Sequence, residues 1–208
     1  MDKTADWFFD FISPFAWLQI HSMDRLDCTI AYRPVLFAGL LSHWGQLGPA
    51  EIPQKRIFTY QHTLWTARKL GIPLRYPKGH PFNPLPFLRL AIAAGCRADA
   101  VLSIFHYIWV EADDLEDPQA FSALAAQLGI SNPETCLADP EVKATLRANG
   151  TLATGKGVFG VPTFLVDDHL FWGFDATDMV LDFLHNPSLF EDDEMKRVTE
   201  LPMLASRK

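Results

Sequence analysis

Hydrophobic positions follow two rhythms along the chain, and the places where one gives way to the other set the expected architecture. Trp7-Phe8-Phe9-Asp10-Phe11 is short, apolar and closed by Ser13-Pro14, which predicts a buried strand. Ser13 suits a helix N-cap and Pro14 the first helical position. Phe15, Leu18, Met23 and Leu26 then recur at helical spacing, predicting a helix over 15–26. Residues 28–35 read as a second strand, so the chain opens β-α-β, with a parallel pair and a right-handed crossover. From Leu36 to about Gly150 the helical rhythm dominates, over 54–69, 86–94, 98–111, 118–128 and 140–149. Gly71-Ile72-Pro73 and Asn83-Pro84 break it, and Gly150 is expected to end the last of these helices. A stretch of roughly 110 residues is too long to be a loop. The strand rhythm returns at 161–166 and 170–172 around a turn at Asp167-Asp168-His169, which predicts a hairpin. A final helix over 175–184 places Met179, Val180, Phe183 and Leu184 on one face.

The expected fold class is therefore α/β: a four-stranded mixed sheet, β-α-β then β-β-α, with a large inserted all-helical domain. The expected limits are 1–38 and 151–186 for the sheet domain, 39–150 for the insert and 187–208 for a charged, mobile C-terminal tail. Of 208 residues, 49% are hydrophobic and 21% charged, ordinary for a substantial core that needs neither disulfide nor metal. A net charge of −7 argues against nucleic acid as a partner, while leaving room for a local basic pocket. No apolar run approaches the roughly 20 residues of a membrane-spanning helix. The opening residues carry two acids and no secretory pattern, so the expected location is cytoplasmic. Cys28, Cys96 and Cys136 form no C-x-x-C and no zinc spacing; they are expected as reduced, buried small side chains, with no metal site.

Two segments carry candidate chemistry. Thioredoxin-type redox domains place C-P-x-C where the first strand meets the following helix, because the helix N-terminus stabilises a thiolate. Here that slot reads Ser13-Pro14-Phe15-Ala16. Serine cannot form a disulfide and Ala16 removes the resolving thiol, so redox chemistry by the chain itself is excluded. What survives is a helix end suited to an anion, with a hydroxyl that can donate to it. The second segment is Gly157-Val158-Phe159-Gly160-Val161-Pro162-Thr163. Proline entering a strand belongs at its start, and thioredoxin-like folds set a cis proline here, facing the active helix end.

Residues 8–16, 157–163 and Leu170-Phe171-Trp172-Gly173-Phe174-Asp175, in this order and across nearly the whole chain, resemble the 2-hydroxychromene-2-carboxylate isomerases. These belong with kappa-class glutathione transferases and DsbA-like proteins. The resemblance implies glutathione as cofactor, a helical insert closing over a small aromatic substrate, and a homodimer. It makes Ser13 the catalytic residue holding the glutathione thiolate, with Val161 and Pro162 beside the cysteinyl unit. Phe174 and Asp175 would meet the γ-glutamyl end. Gln46 and Lys55 come from the 45–55 segment, where Gln46 replaces the family's usual asparagine. Lys55, Asn83 and Phe15 would line the substrate site. Phe174 and Ala176 stand where the family commonly has a small polar residue and an arginine. His43, Trp44, Trp65 and Trp109 read as core or pocket-lining residues.

The implied activity is glutathione-dependent isomerisation of 2-hydroxychromene-2-carboxylate-type compounds to trans-o-hydroxybenzylidenepyruvate in aromatic catabolism. The alternatives are a kappa-class-like transferase that conjugates electrophiles, and a non-redox peptide-binding domain of the same fold.

Overall fold

The computed structural model describes residues 3–205, so the outermost positions of the expected N-terminal domain and C-terminal tail lie outside the described residues. β1 (Thr4–Phe9) and β2 (Thr29–Pro34) pair in parallel from Thr4↔Thr29 to Phe9↔Pro34. β3 (Thr163–Val166) runs antiparallel to β1, and β4 (His169–Trp172) pairs with β3, giving the mixed order β2-β1-β3-β4. Asp167 and Asp168 both have left-handed backbone, as a two-residue hairpin turn of this twist requires. His169 belongs to β4 rather than to the turn.

Seven helices lie between β2 and β3: α2 (Phe37–Trp44), α3 (Pro53–Leu70), α4 (Leu85–Ala93), α5 (Ala98–His106, continued by a π turn at Tyr107–Glu111), α6 (Pro118–Gln127), α7 (Pro133–Ala138) and α8 (Pro140–Gly155). α1 (Pro14–Ile20) links β1 to β2, and α9 (Thr177–His185) and α10 (Asp193–Thr199) follow β4.

Alternation along β1 divides the core. Ala5, Trp7 and Phe9 face a large cluster with Leu18, Phe105, Trp109, Phe164 and Phe183. Phe8 faces a smaller one with Val35, Leu40, Ala153, Val158 and Leu165, under α2 and α8. The central strands are thus covered on both faces, which explains why their sequences are apolar runs rather than alternations.

Several expected boundaries move, each for a local reason. β1 ends at Phe9, not Phe11, because Asp10 turns the chain: its carbonyl accepts from Ser13 N (3.0 Å) and its carboxyl from Ile12 N (3.1 Å). α1 stops at Ile20 rather than Leu26, and a 3-10 turn at Met23–Arg25 brings Leu26 back to the core. α8 runs through Gly150 to Gly155. Its extra turn packs Ala153 into the smaller cluster, and Gly157, at φ +80°, supplies the left-handed residue that follows the helix end. The helix expected over 175–184 is α9, which starts at Thr177 after a 3-10 turn at Phe174–Ala176. Within the expected tail, α10 forms with Asp192 as its N-cap, accepting from Glu194 N and Met195 N.

Gln19 ties three elements together from a fully buried position. Its Oε1 accepts from Trp7 Nε1 (2.7 Å), and its Nε2 donates to Gly173 O (2.9 Å) and Thr177 Oγ1 (3.1 Å). Gln19→Leu keeps most of the volume but strands the buried Trp7 N–H and leaves the Gly173 carbonyl with only its longer bond from Ala176 N (3.3 Å). Urea unfolding is expected to show a loss of roughly 2–4 kcal/mol.

Candidate active site

Sheet register brings the two candidate segments together. β1 and β3 are antiparallel with Phe8 opposite Thr163, so the chain leaving β1 at 10–13 and the chain entering β3 at 161–162 meet at the same end of the sheet. The Val161–Pro162 peptide is cis, as the sequence predicts. Gly173 N donates to Pro162 O (2.9 Å) and Thr163 Oγ1 to Gly160 O (2.8 Å), fixing the segment on both sides. Gly160 has no room for a side chain, since a Cβ there would lie 2.5 Å from Trp172 Nε1. Among the described residues, neither Val161 N–H nor Val161 C=O has a hydrogen-bond partner. They form an open peptide edge that an extended chain could pair with.

Ser13 is the N-cap of α1, with Pro14 in the first turn, as expected. Its Oγ accepts from Ala16 N (3.3 Å) and donates to nothing among the described residues. Pro14 has no N–H, and Phe15 N–H likewise has no acceptor. Two donors therefore remain at the tip of this helix. Ser13 is 7% exposed, so a group reaching it leaves bulk water almost entirely, where a charge-assisted hydrogen bond gains strength.

The turn before Ser13 is held rigidly. Asp10 is fully buried, and its two carboxyl oxygens accept from Ile12 N (3.1 Å) and Phe37 N (2.8 Å). Burial pushes its pKa up to about 7, against the pull of those N–H groups. The two carbonyls of the turn are tied to the helical segment: Phe11 O accepts from Trp109 Nε1 (3.1 Å) and Ile12 O from His80 Nε2 (2.8 Å). Behind His80, the Tyr60 hydroxyl lies 2.8 Å from both Nδ1 and the His80 carbonyl. The Tyr60 ring lies tilted against that of Tyr76, their centroids 4.6 Å apart, and the Tyr76 hydroxyl meets Thr63 Oγ1 at 2.7 Å. Desolvation lowers the pKa of His80, which favours the neutral ring. The sequence reading gave His80, Tyr60 and Asp10 no role. Their only sequence signal is polar residues inside aromatic-rich stretches, because their partners lie far away along the chain.

The remaining candidates spread outward. Phe15 is half-buried, its ring 5.9 Å from that of His62 on α3. Lys55 is exposed and lines an open cleft of about 450 Å³ with Pro49, Gln54, Phe58 and Thr59. Gln46 is exposed just beyond α2. Asn83 is exposed, and its Oδ1 accepts from Leu85 N (3.1 Å) at the start of α4. Phe174 is half-buried against the large cluster; Asp175 is exposed and caps no helix. Trp109 is a core residue, whereas Trp44, Trp65 and His43 are exposed rather than buried; Trp44 donates to Val158 O (2.9 Å). The three cysteines are unpaired and half-buried, not fully buried as expected. Burial raises the Cys96 thiol to about 11, far from a reactive thiolate. The described residues contain no cluster suited to a metal ion and no helix long and apolar enough to cross a membrane.

Comparison with known proteins gives a consistent picture. Residues 4–185 match the family model of DSBA-like thioredoxin domains. A 2-hydroxychromene-2-carboxylate isomerase from Sphingobium xenophagum is 31% identical over 194 residues, covering 88% of this chain and 99% of the relative. Human glutathione S-transferase kappa 1 is 23% identical over 207 residues, covering 88% and 92%. A solved 2-hydroxychromene-2-carboxylate isomerase structure superposes with a TM-score of 0.74 at 24% identity, covering 96% of this chain and all of that one, which shows a shared fold.

Proposed function

The chain belongs to the DSBA-like thioredoxin domain family and, within it, groups with the 2-hydroxychromene-2-carboxylate isomerases; from that premise we propose that it isomerises 2-hydroxychromene-2-carboxylate-type compounds with glutathione held at Ser13. The observation that carries this reading is a set of four unpartnered groups at one end of the sheet. These are the Ser13 hydroxyl, the Phe15 N–H, and the N–H and C=O of Val161. A tripeptide with a thiol at its centre fits that set. Its extended backbone finds an open peptide edge, and its sulfur a hydroxyl and an amide donor with no competing thiol nearby.

When bound, glutathione would supply a thiolate that adds reversibly to a conjugated double bond, leaving a single bond that can rotate. The protein residues do the rest. Ser13 donates its hydroxyl hydrogen towards the sulfur and, with Phe15 N–H and the α1 terminus, favours the thiolate over the thiol. Val161 orients the cysteinyl unit through its free N–H and C=O, while Pro162 fixes the direction of that peptide. Gln46, Lys55, Phe174 and Asp175 are proposed for the ends of the tripeptide, and Lys55, Asn83 and Phe15 for the substrate. A homodimer, a cytoplasmic location and a place in aromatic catabolism belong to the same proposal.

Calorimetry with reduced glutathione, followed by conversion of 2-hydroxychromene-2-carboxylate with and without it, tests the reading. Binding and a glutathione-dependent trans product are expected; conversion indifferent to glutathione would overturn it. The similarity to a kappa-class transferase supports a second reading, conjugation with release of the adduct. Product mass separates the two, since isomerisation leaves it unchanged.

A further inference from the structure

α3 carries its chemistry on the outside. Its buried positions are Thr63, Thr66 and Ala67, small or polar, while Phe58 is 65% exposed and Trp65 58%. Lys55, Phe58, His62, Trp65 and Lys69 follow a spacing of 3, 4, 3 and 4, which lines them up on one face of the helix. All five are exposed, and from Phe58 to Lys69 each lies against the next. The Phe58 and His62 rings are 5.4 Å apart, those of His62 and Trp65 stack at 6.1 Å, and Lys69 Nζ stands 5.2 Å over the Trp65 ring. At its middle the stripe meets the reaction centre, because His62 faces the ring of Phe15, whose own N–H is one of the free donors beside Ser13.

The charge of this helix runs against that of the chain. α3 holds Lys55, Arg56, Arg68 and Lys69 and no acidic residue, in a protein of net charge −7. Among the described residues, none of these four cations has a carboxylate within 4 Å. Three adjacent aromatic rings between two lysines without a carboxylate partner, bordering the residue after Ser13-Pro14, form an exposed aromatic surface with a positive rim. A planar aromatic anion complements both properties. Its ring would lie on Phe58, His62 and Trp65 and its carboxylate would meet a lysine.

We infer that the α3 stripe of Lys55, Phe58, His62, Trp65 and Lys69 is the surface that selects the acceptor, a planar aromatic carboxylate, and delivers it to Ser13. The inference rests on the reading of Ser13 as the thiolate site, but it can fail separately. The probe is coumarin-3-carboxylate, a flat bicyclic carboxylate, compared with uncharged coumarin by calorimetry in the presence of glutathione. The wild-type protein is expected to bind the carboxylate about tenfold more tightly than coumarin, with affinity falling as salt rises. The double variant Lys55→Gln, Lys69→Gln should lose that preference. His62→Ala and Trp65→Ala should weaken both probes several-fold and raise KM for 2-hydroxychromene-2-carboxylate more than they lower kcat. Glutathione affinity should stay at the wild-type value in the two aromatic variants.

Unchanged probe affinity and KM in the aromatic variants, with glutathione binding intact, would overturn the acceptor surface and leave Ser13 untouched. A change in molar mass by light scattering in Trp65→Ala would overturn it too, showing the stripe to be a contact between copies of the chain. Failure of the wild-type protein to bind glutathione overturns instead the reading of Ser13. The substituted side chains are exposed, so far-ultraviolet circular dichroism of the wild-type form is expected from each variant.

Discussion

Ser13→Ala and Ser13→Gly are both expected to lower kcat/KM for the glutathione-dependent reaction by roughly ten- to a hundredfold. The size follows from what is removed: a hydrogen bond to a charged sulfur in a site with little water, worth about 1.5–3 kcal/mol. Both variants are needed because Ser13 also caps α1 through Ala16 N. Alanine at an N-cap costs about 1 kcal/mol of stability, glycine only a few tenths. If the hydroxyl acts on the sulfur, the two variants differ in thermal stability and agree in lost activity. If it acts only as a cap, the activity loss follows stability and the glycine variant stays active. The pH profile offers a second check. Without the donor, the thiol of bound glutathione should ionise at a pH about one to two units higher, since one unit is 1.36 kcal/mol of preference for the thiolate. The acid limb of kcat/KM should move by that amount, while Phe15 N–H and the helix end keep the site partly functional. An acid limb at the same pH in all three proteins would remove Ser13 from the thiolate site.

The parts of the site that could be read from sequence are those whose meaning is local. Ser13-Pro14 states a helix start within two residues, and Val161-Pro162 states a strand entry in the same way. The two segments are 148 positions apart, yet the apolar run opening a β-α-β unit and the later hairpin around Asp167-Asp168 were enough to predict that one mixed sheet joins them. The misses involve distant partners. Gly150 is a sound local stop signal, but α8 continues because Ala153 has a place under the sheet, and that place exists only in the folded chain. His80 is an isolated histidine beside a proline until its ring is seen at the carbonyl of Ile12, 68 residues earlier. α2 lies outside the expected helices although Phe37, Leu40, Leu41 and Trp44 carry the helical spacing; only Leu40 of these is buried, and Trp44 stays exposed. Trp65, expected in the core or lining a pocket, is not a core residue: α3 buries threonines and alanine, and presents its aromatics outward.

The largest expected effect on stability comes from Asp10, and its sign is opposite to that of most carboxylates. An acid paired with a cation usually has a lowered pKa and stabilises the fold as pH rises. Among the described residues, Asp10 has no cation paired with it. It is fully buried, and its pKa rises from the ordinary 3.8 to about 7 because desolvation outweighs three backbone hydrogen bonds. Between pH 4 and 7 the folded chain therefore holds a proton that the unfolded chain has released, and stability must fall as pH rises through that window. The full stabilisation is present below pH 4 and is lost by the time pH exceeds about 7, an amount of roughly 4 kcal/mol. His80 works in the other direction, since burial lowers its pKa and folding is then opposed on acidification. The comparison that isolates Asp10 is with Asp10→Asn. The amide keeps one acceptor for Ile12 N or Phe37 N and turns an N–H towards the other, costing about 1–3 kcal/mol at pH 5, where the wild-type group is neutral. Asparagine does not ionise, so its deficit should shrink as pH climbs, and by pH 8 the variant should equal or exceed the wild type. Urea titrations of both proteins at pH 5, 6, 7 and 8 read this directly. Parallel stability curves, with a constant gap between them, would mean that the Asp10 carboxyl is already ionised at pH 5 and that the two N–H donors outweigh its desolvation.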